Sequence, residues 1–417
     1  MSFLRYPKYK DSGVAWLGEV PTHWEVCALK RVIKMQSGES ITSESIEESG
    51  DYPVFGGNGL RGYTSSFTHD GTFVLIGRQG ALCGNINYAS GKFWASEHAI
   101  VVSPMRQVAT KWLGELLRSM NLNQYSVAAA QPGLSVDLVG RLNITVPPIS
   151  EQEAIAAFLN HETAKIDALV AEQQRLIEVL KEKREAIISH AVTKGLNPDV
   201  PMKDSGIEWL GEVPSHWSVV QSRRLFKVRN EPALKSDKQL TASQKHGVLF
   251  QSDFVESEGR RVVEVIKGAD SLKHVEPNDF VISMRSFQGG IEWCRLRGSI
   301  SWHYVMLTPV GSVHGPFFAY LFKSVGYIQA LRATADLIRD GQELRYSHFV
   351  QVDLPLVPME EQASIALFLD QETAKIDALT VEAQCAIELL QERRGALISA
   401  AVIGQIDVRG LAKEVAA

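Results

Sequence analysis

The 417-residue chain repeats itself at two different spacings, and any fold proposed for it must honour both. The segment KDSGVAWLGEVPTHWEV (10–26) returns as KDSGIEWLGEVPSHWSV (203–219), identical at 13 of 17 positions at an offset of 193. A second pair, 148–192 and 358–402, matches at 27 of 45 positions without a gap, but at an offset of 210 and around a shared ETAKIDAL. Self-similarity of this kind signals two copies of one structural frame. The layout is A-B-C-A′-B′-C′. The intervening B segments, roughly 27–147 and 220–357, have drifted far apart. Landmarks inside them still align: FVLIGR (73–78) with FVISMR (280–285), His98 with His303, and Leu134 with Leu344, at offsets of 207, 205 and 210. Offsets near those of the flanking repeats are what loop insertions in a shared fold leave behind. One frame therefore carries two different surfaces.

The C segments read as helices. From Glu162 to Val192 there is no proline or glycine, and Ala, Leu, Glu, Lys, Gln and Arg dominate, which favours a long helix. Alternating steps of three and four give a heptad-like seam of Ile166, Leu169, Gln173, Leu176, Leu180, Lys183 and Ile187, and in the second copy Ile376, Leu379, Ala383, Ala386, Leu390, Arg393 and Leu397. Ser150 and Glu153 read as a capping box that opens a short lead helix through Leu159. The 31-residue stretch would be ~46 Å long. The first long helix delivers the second B segment to its far end, and the second has nothing to pack against except the first, running back. The expected fold class is α+β: two mixed α/β domains separated by a long antiparallel two-helix coiled coil, with a pseudo-twofold internal repeat. Apolar positions off the seam (Val170, Ile177, Val179, Ile188, Ile387, Leu389 and Ile398) would stay exposed on a two-stranded pair, so further protein subunits are expected to cover them. Trp16, Trp24, Trp209 and Trp217 in the A segments read as packing anchors between each domain and the helices.

Composition narrows the function classes. No stretch approaches the ~20 consecutive apolar residues of a membrane helix, and MSFLRYPKYKDSG lacks the apolar core of an export signal. A cytoplasmic protein is expected, with its four scattered cysteines reduced and no metal site. The helices carry net charges of −3 (151–192) and −5 (359–403), while the B segments carry +1 (27–149) and +4 (220–357). A protein held to nucleic acid by phosphates alone would be far more basic. Catalytic signatures are missing. Gly57, Gly59 and Gly62 form a GxGxxG, but turn-and-strand residues follow where a dinucleotide site needs a helix. No phosphate-binding GxxxxGK[ST], HExxH, GxSxG or [DN]PP[YF] occurs, and no lysine has an acidic residue two positions before it. The chain reads as a binding protein with no catalytic residues, not an enzyme.

The WLGEVPxHW opening, the EQxxIAxFL…ETAKIDAL helix and the tandem variable-conserved layout resemble the specificity subunit of type I restriction-modification systems. The resemblance covers nearly the whole chain. It implies two target recognition domains, each reading one half of a split, asymmetric site on double-stranded DNA. It also implies spacer helices that bind two methyltransferase (M) subunits, which recruit the restriction/translocase (R) subunits. S-adenosylmethionine, ATP and Mg²⁺ then belong to those partners, and this chain holds no cofactor. The boundaries expected on this basis are 1–149 and 194–358 for the recognition domains with their A segments, 150–193 and 359–403 for the spacer helices, and 404–417 for a tail. The rival reading is a stand-alone bivalent DNA-binding regulator that assembles nothing.

Base readout favours arginine on guanine and asparagine or glutamine on adenine, presented on loops that let the backbone approach. In the first half the candidates are Asn58, Arg61 and Tyr63 in the glycine-rich loop, then Arg78 and Gln79 after FVLI. In the second they are Arg285, Ser286 and Gln288 in MRSFQGG, with Arg339, Gln342, Arg345 and Tyr346 in RDGQELRYSHF. The competing reading of each is a loop residue that faces solvent or touches a phosphate. His98 and His303, beside Trp94 and Trp302, are expected to be buried and hydrogen-bonded rather than functional. The helix-pair and subunit interface is expected at Ile166, Leu169, Leu176, Leu180, Ile187, Ile376, Leu379, Leu390 and Leu397.

Overall fold

In the computed structural model the described residues are 3–80, 82–126, 133–258, 272–283, 286–334 and 344–411. The chain divides into two compact units, Met1–Gln174 with Gln384–Ala417, and Arg175–Ala383.

The first unit opens with a short antiparallel hairpin, Tyr9–Asp11 against Glu19–Pro21. Its central sheet has the strand order Ile33–Ser37, Ala99–Pro104, Phe73–Gly77, Ile86–Ala89, every neighbour antiparallel. The middle strands are apolar over Phe73–Gly77 and Ala99–Val102 because both faces are covered there. Val74 and Ile76 point into the main core, whereas Leu75 joins Ala89, Phe93, Ala95 and Val101 in a second one. That alternation is the two-residue period of a strand. A second sheet, ordered Gly59–Thr64, Tyr52–Gly56, Lys92–Ala95, His69–Asp70, lies beyond it. Asn143–Val146 returns to pair with Glu25–Ala28 immediately before the first long helix.

The second unit repeats this plan. The hairpin is Met202–Asp204 with Glu212–Pro214, and the closing pair is Ser218–Val220 with Leu354–Leu356. The central sheet runs Phe226–Arg229, Val305–Pro309, Phe280–Ile282, Glu292–Trp293. FVLIGR and FVISMR thus place their strands at the same point of the same sheet, as the sequence alignment requires. The alternation recurs too: Phe280 and Ile282 enter the large core, where Phe226, Phe318, Phe322 and Phe349 cluster, while Val281 joins Met306 on the other face.

The long helices are Ile149–Lys194 and Met359–Val402, of 46 and 44 residues. No separate lead helix exists. Pro147 and Pro148 end the preceding strand, and nothing between Ile149 and Lys194 breaks the backbone hydrogen-bond ladder, so the expected step at Leu159 is simply helix. The first unit holds the beginning of one helix and the end of the other, and the second unit holds the reverse, as antiparallel pairing demands. In the first unit Arg394 Nε meets Asp167 Oδ1 at 2.8 Å. In the second, Arg184 Nε meets Asp377 Oδ1 at 3.0 Å. These are the same two repeat positions, 210 residues apart, in exchanged roles.

Each domain is tied to the helix that follows it by a Glu–Gln pair. Glu151 accepts from the Trp24 indole N–H (3.0 Å) and the Tyr6 hydroxyl (3.0 Å), and its other oxygen meets His23 Nε2 at 2.7 Å. Its counterpart Glu361 accepts from the Trp217 indole at 3.0 Å and meets His216 Nε2 at 2.8 Å. Gln152 and Gln362 bridge backbone groups of the loops beside them, Gln152 at Ala109 and Pro147 and Gln362 at His314 and Val357. Trp24 and Trp217 are fully buried and bear out the anchoring role expected of them.

Candidate nucleic-acid interface

In the first unit the candidate residues gather where the central strand Phe73–Gly77 runs out of the sheet. Gly77 is paired with Ala99, so the loop after Gly77 and the turn before Ala99 share one edge. Arg78 is pinned there through its backbone: its N–H donates to His98 O (2.9 Å), and its carbonyl accepts from Leu134 N–H (3.0 Å). Gln79 is exposed, with Oε1 lying 3.2 Å from His98 Nδ1. His98 Nε2 lies 3.2 Å from Glu97 Oε1. Asn58, at the tip of the hairpin joining Tyr52–Gly56 to Gly59–Thr64, accepts from Asn85 Nδ2 at 2.9 Å. A methyl group on Gly57 would stand 3.1 Å from the His98 carbonyl, which is why glycine suits the hairpin where it crosses this edge. Asn58, Arg78 and Gln79 therefore converge. Arg61 and Tyr63 lie further along their strand, Arg61 exposed and Tyr63 half-buried with its backbone paired to Glu47.

The equivalent edge of the second unit follows Ile282, which pairs with Val305. Gln288 is exposed on the short helix Ser286–Gly289, at the rim of a cavity of about 840 Å³ that Arg184, Tyr320, Lys323 and Arg332 also line. On its wall Glu292 is buried and paired with Lys323 at 2.7 Å; burial pushes this carboxyl above the ordinary glutamate range, against the pull of the lysine. Ser286 is fully buried, and its hydroxyl accepts the Ser283 N–H at 2.8 Å, so its side chain shapes the loop from inside. Arg345 is exposed beside the short helix Tyr346–Phe349. Tyr346 is half-buried, stacked on Phe349, with its hydroxyl donating to Phe226 O at 3.3 Å. Arg285, Arg339 and Gln342 lie outside the described residues.

Two expectations need correcting. His98 and His303 are not buried. The side chain of His98 is 43% exposed, and His303 is exposed and stacked on Trp302 at 3.6 Å between centroids, Trp302 itself being 54% exposed. Each histidine sits in the turn that enters a middle strand of its sheet, Ala99–Pro104 or Val305–Pro309, at the rim, where a ring has no second layer to cover it. This edge could have been found from the sequence, since the two histidines hold the same place in both halves.

The helix seam is the second correction. Ile166, Leu180, Ile376 and Leu397 are buried, with Ile187 and Leu390 half-buried. Leu169, Leu176 and Leu379 are not: they are 50%, 43% and 49% exposed. From Ile166 the covered positions step by four and then three, through Val170, Gln173, Ile177, Leu180 and Arg184, not by three and then four. Both phases have the same period and both carry leucines or β-branched residues, so the pattern alone did not separate them. Val170 and Ile177 are half-buried and Ile188, Ile387 and Ile398 buried, whereas Val179 and Leu389 remain exposed together with Leu169, Leu176, Leu379 and Val381.

Among the described residues no group of His, Cys, Asp and Glu could hold a metal ion, and no helix is long and apolar enough to cross a membrane. Residues 21–179 match the family model of the type I restriction modification DNA specificity domain. This part of the chain is similar to a type I specificity domain. The chain is 48% identical over 136 residues to the type I restriction enzyme EcoprrI specificity subunit of Escherichia coli, covering 32% of this chain and 34% of that protein. It is 22% identical over 399 residues to the putative type I restriction enzyme MjaX specificity subunit of Methanocaldococcus jannaschii, covering 87% and 90%. A solved structure described as the structural basis underlying complex assembly and conformational transition of the type I R-M system superposes with a TM-score of 0.62 at 17% identity. That match covers 93% of this chain and 99% of the other, so the likeness of fold takes in both halves. The chain spans about a third of the length of the first curated relatives it matches, 34% and 32%.

Proposed function

We propose that this chain is the DNA-specificity subunit of a type I restriction-modification complex, without chemistry of its own. The observation that carries the reading is the repeated specificity-domain frame whose two copies keep the same sheet and differ in the loops at the same edge. Each recognition domain (1–149 and 194–358) reads one half of a bipartite, asymmetric duplex site. The residues that read it in the first half are Asn58, Arg78 and Gln79, with Arg61 and Tyr63 as flanking contacts. In the second half they are Arg285, Gln288, Arg339, Gln342 and Arg345, with Ser286 and Tyr346 supporting the loops. The spacer helices (150–193 and 359–403) fix the gap between half-sites, and their exposed Leu169, Leu176, Val179, Leu379, Val381 and Leu389 bind two methyltransferase subunits. Apolar side chains left bare along a helix mark a protein interface. Those subunits supply S-adenosylmethionine and recruit the restriction subunits with ATP and Mg²⁺, and the assembly works in the cytoplasm.

The test is to co-express the chain with its cognate methyltransferase subunit in an unmethylated host and map every modified adenine. A split, asymmetric motif with a fixed gap is expected. A single contiguous motif would remove one domain from the reading role. Absence of methylation by a complex that still co-purifies would favour a DNA-binding regulator. Replacing Leu169 and Leu379 by Asp should leave the fold intact and abolish assembly; normal assembly would refute the proposed interface.

A further inference from the structure

We infer that His98 is a positioning residue that makes Gln79 a donor-only reader, so that Gln79 selects a base presenting an acceptor in the major groove. The inference rests on the proposed reading of the first half-site by this edge. A glutamine side chain offers one carbonyl oxygen and two N–H donors. When both kinds of group are available it pairs bidentately with adenine, giving to N7 and accepting from the N6 amino group. Here the carbonyl is taken. Oε1 of Gln79 lies 3.2 Å from His98 Nδ1, and because Oε1 can only accept, Nδ1 carries the proton of that bond. Glu97 Oε1 accepts at 3.2 Å from the opposite ring nitrogen, so in this arrangement the ring donates from both nitrogens, Nδ1 to Gln79 and Nε2 to Glu97, and the His98 backbone is fixed by the Arg78 N–H at 2.9 Å. The imidazole is therefore clamped from three sides and fixes the direction of the amide. Among the described residues nothing takes the amide N–H donors of Gln79, which is exposed. What remains is a donor pair matched to guanine O6 and N7 or thymine O4, and mismatched to an amino group. The second half lacks this device: the position aligned with Gln79 is the buried Ser286, and the residue before His303 is Trp302 in place of Glu97.

The experiment uses the full chain in complex with the methyltransferase subunit. It maps modified adenines for the wild type, Gln79→Ala, His98→Ala and His98→Gln. It also measures binding to duplexes carrying each of the four bases at the affected position. Gln79→Ala should flatten the preference at one position of one half-site, by on the order of tenfold in relative affinity. His98→Ala should act at that same position and in a directed way: with Oε1 released, adenine gains relative to the original base. His98→Gln, which can donate to Oε1 again, should restore the original preference. If the two alanine variants affect different positions, or His98→Ala weakens all duplexes equally, His98 is merely structural and the inference is wrong. A wild type with no bipartite motif would instead count against the proposed function itself, before any variant is compared.

Discussion

Replacing Glu151 with Ala should destabilise the first unit by about 4 kcal/mol, and the matching replacement of Glu361 should cost the second unit only about 2 kcal/mol. The asymmetry follows from what each carboxylate satisfies. Glu151 accepts from two buried donors, the indole of Trp24 (0% exposed) and the hydroxyl of Tyr6 (4% exposed). A buried donor left without its acceptor costs about 1–3 kcal/mol. The loss of a carboxylate in the first turn of a helix adds roughly 0.3–1 kcal/mol in either unit. Glu361 satisfies one buried donor, the indole of Trp217, because His216 is half-exposed and can turn to water. The position aligned with Tyr6 in the second copy is Asp199, which is exposed.

Two linked units make a single unfolding midpoint ill-defined. The assay is therefore amide hydrogen exchange, read separately on peptides spanning Trp24 and Trp217. A Tyr6→Phe background supplies the control. It removes the extra donor, so Glu151→Ala should cost about 1–2 kcal/mol less there than in the wild type. Equal losses in the two units, or a Glu151→Ala cost that Tyr6→Phe does not change, would refute the assignment of the asymmetry to the buried hydroxyl.

Other outcomes follow from the same geometry. Ile166→Asp puts a charge into the core and should destabilise the first unit by roughly 3–5 kcal/mol, whereas Leu169→Asp, at a half-exposed position, should stay within about 0.5 kcal/mol. Amide hydrogen exchange in the first unit of each variant checks the seam phase, and similar losses would restore the three-then-four register. Burial raises the phenols of Tyr6, Tyr88 and Tyr327 above the ordinary value. The folded state then holds protons that the unfolded state releases from about pH 10 upward. The stability these groups contribute is complete below that pH and lost as pH climbs through their folded values. Urea titrations between pH 9 and 11 should show the decline, with a smaller slope in Tyr327→Phe. The Tyr327 hydroxyl is buried with no partner among the described residues. Tyr327→Phe should therefore be neutral or stabilising by about 1 kcal/mol at pH 7, and a loss above 1 kcal/mol would imply a hidden acceptor.

The parts of this molecule that the sequence foretold are those fixed by local chemistry, and the parts it did not are those fixed by where an element ends. FVLIG and FVI could be matched because a strand covered on both faces needs apolar residues at every position, which survives divergence. The long helices could be read because nothing breaks their ladder. Their facing side could not, because Leu169 and Val170 are equally apolar and the choice depends on the angle at which the partner helix arrives. The Glu–Gln anchors were visible only as repeated letters: Glu151 becomes meaningful once Trp24, 127 residues away, is brought to it by the pairing of Glu25–Ala28 with Asn143–Val146. The same holds for the edge proposed to read DNA. Arg78 and Gln79 were found from residue type and the preceding strand, but His98, beside Trp94, was expected in the interior, and the run that follows it, Ala99–Val102, is indeed fully buried. A turn at the rim exposes a ring that its neighbours in sequence would bury. The residues most exposed to error from sequence are thus the turn residues at the ends of buried strands. Where such residues differ between the two halves, as exposed Gln79 and buried Ser286 do, the two rims present different chemistry.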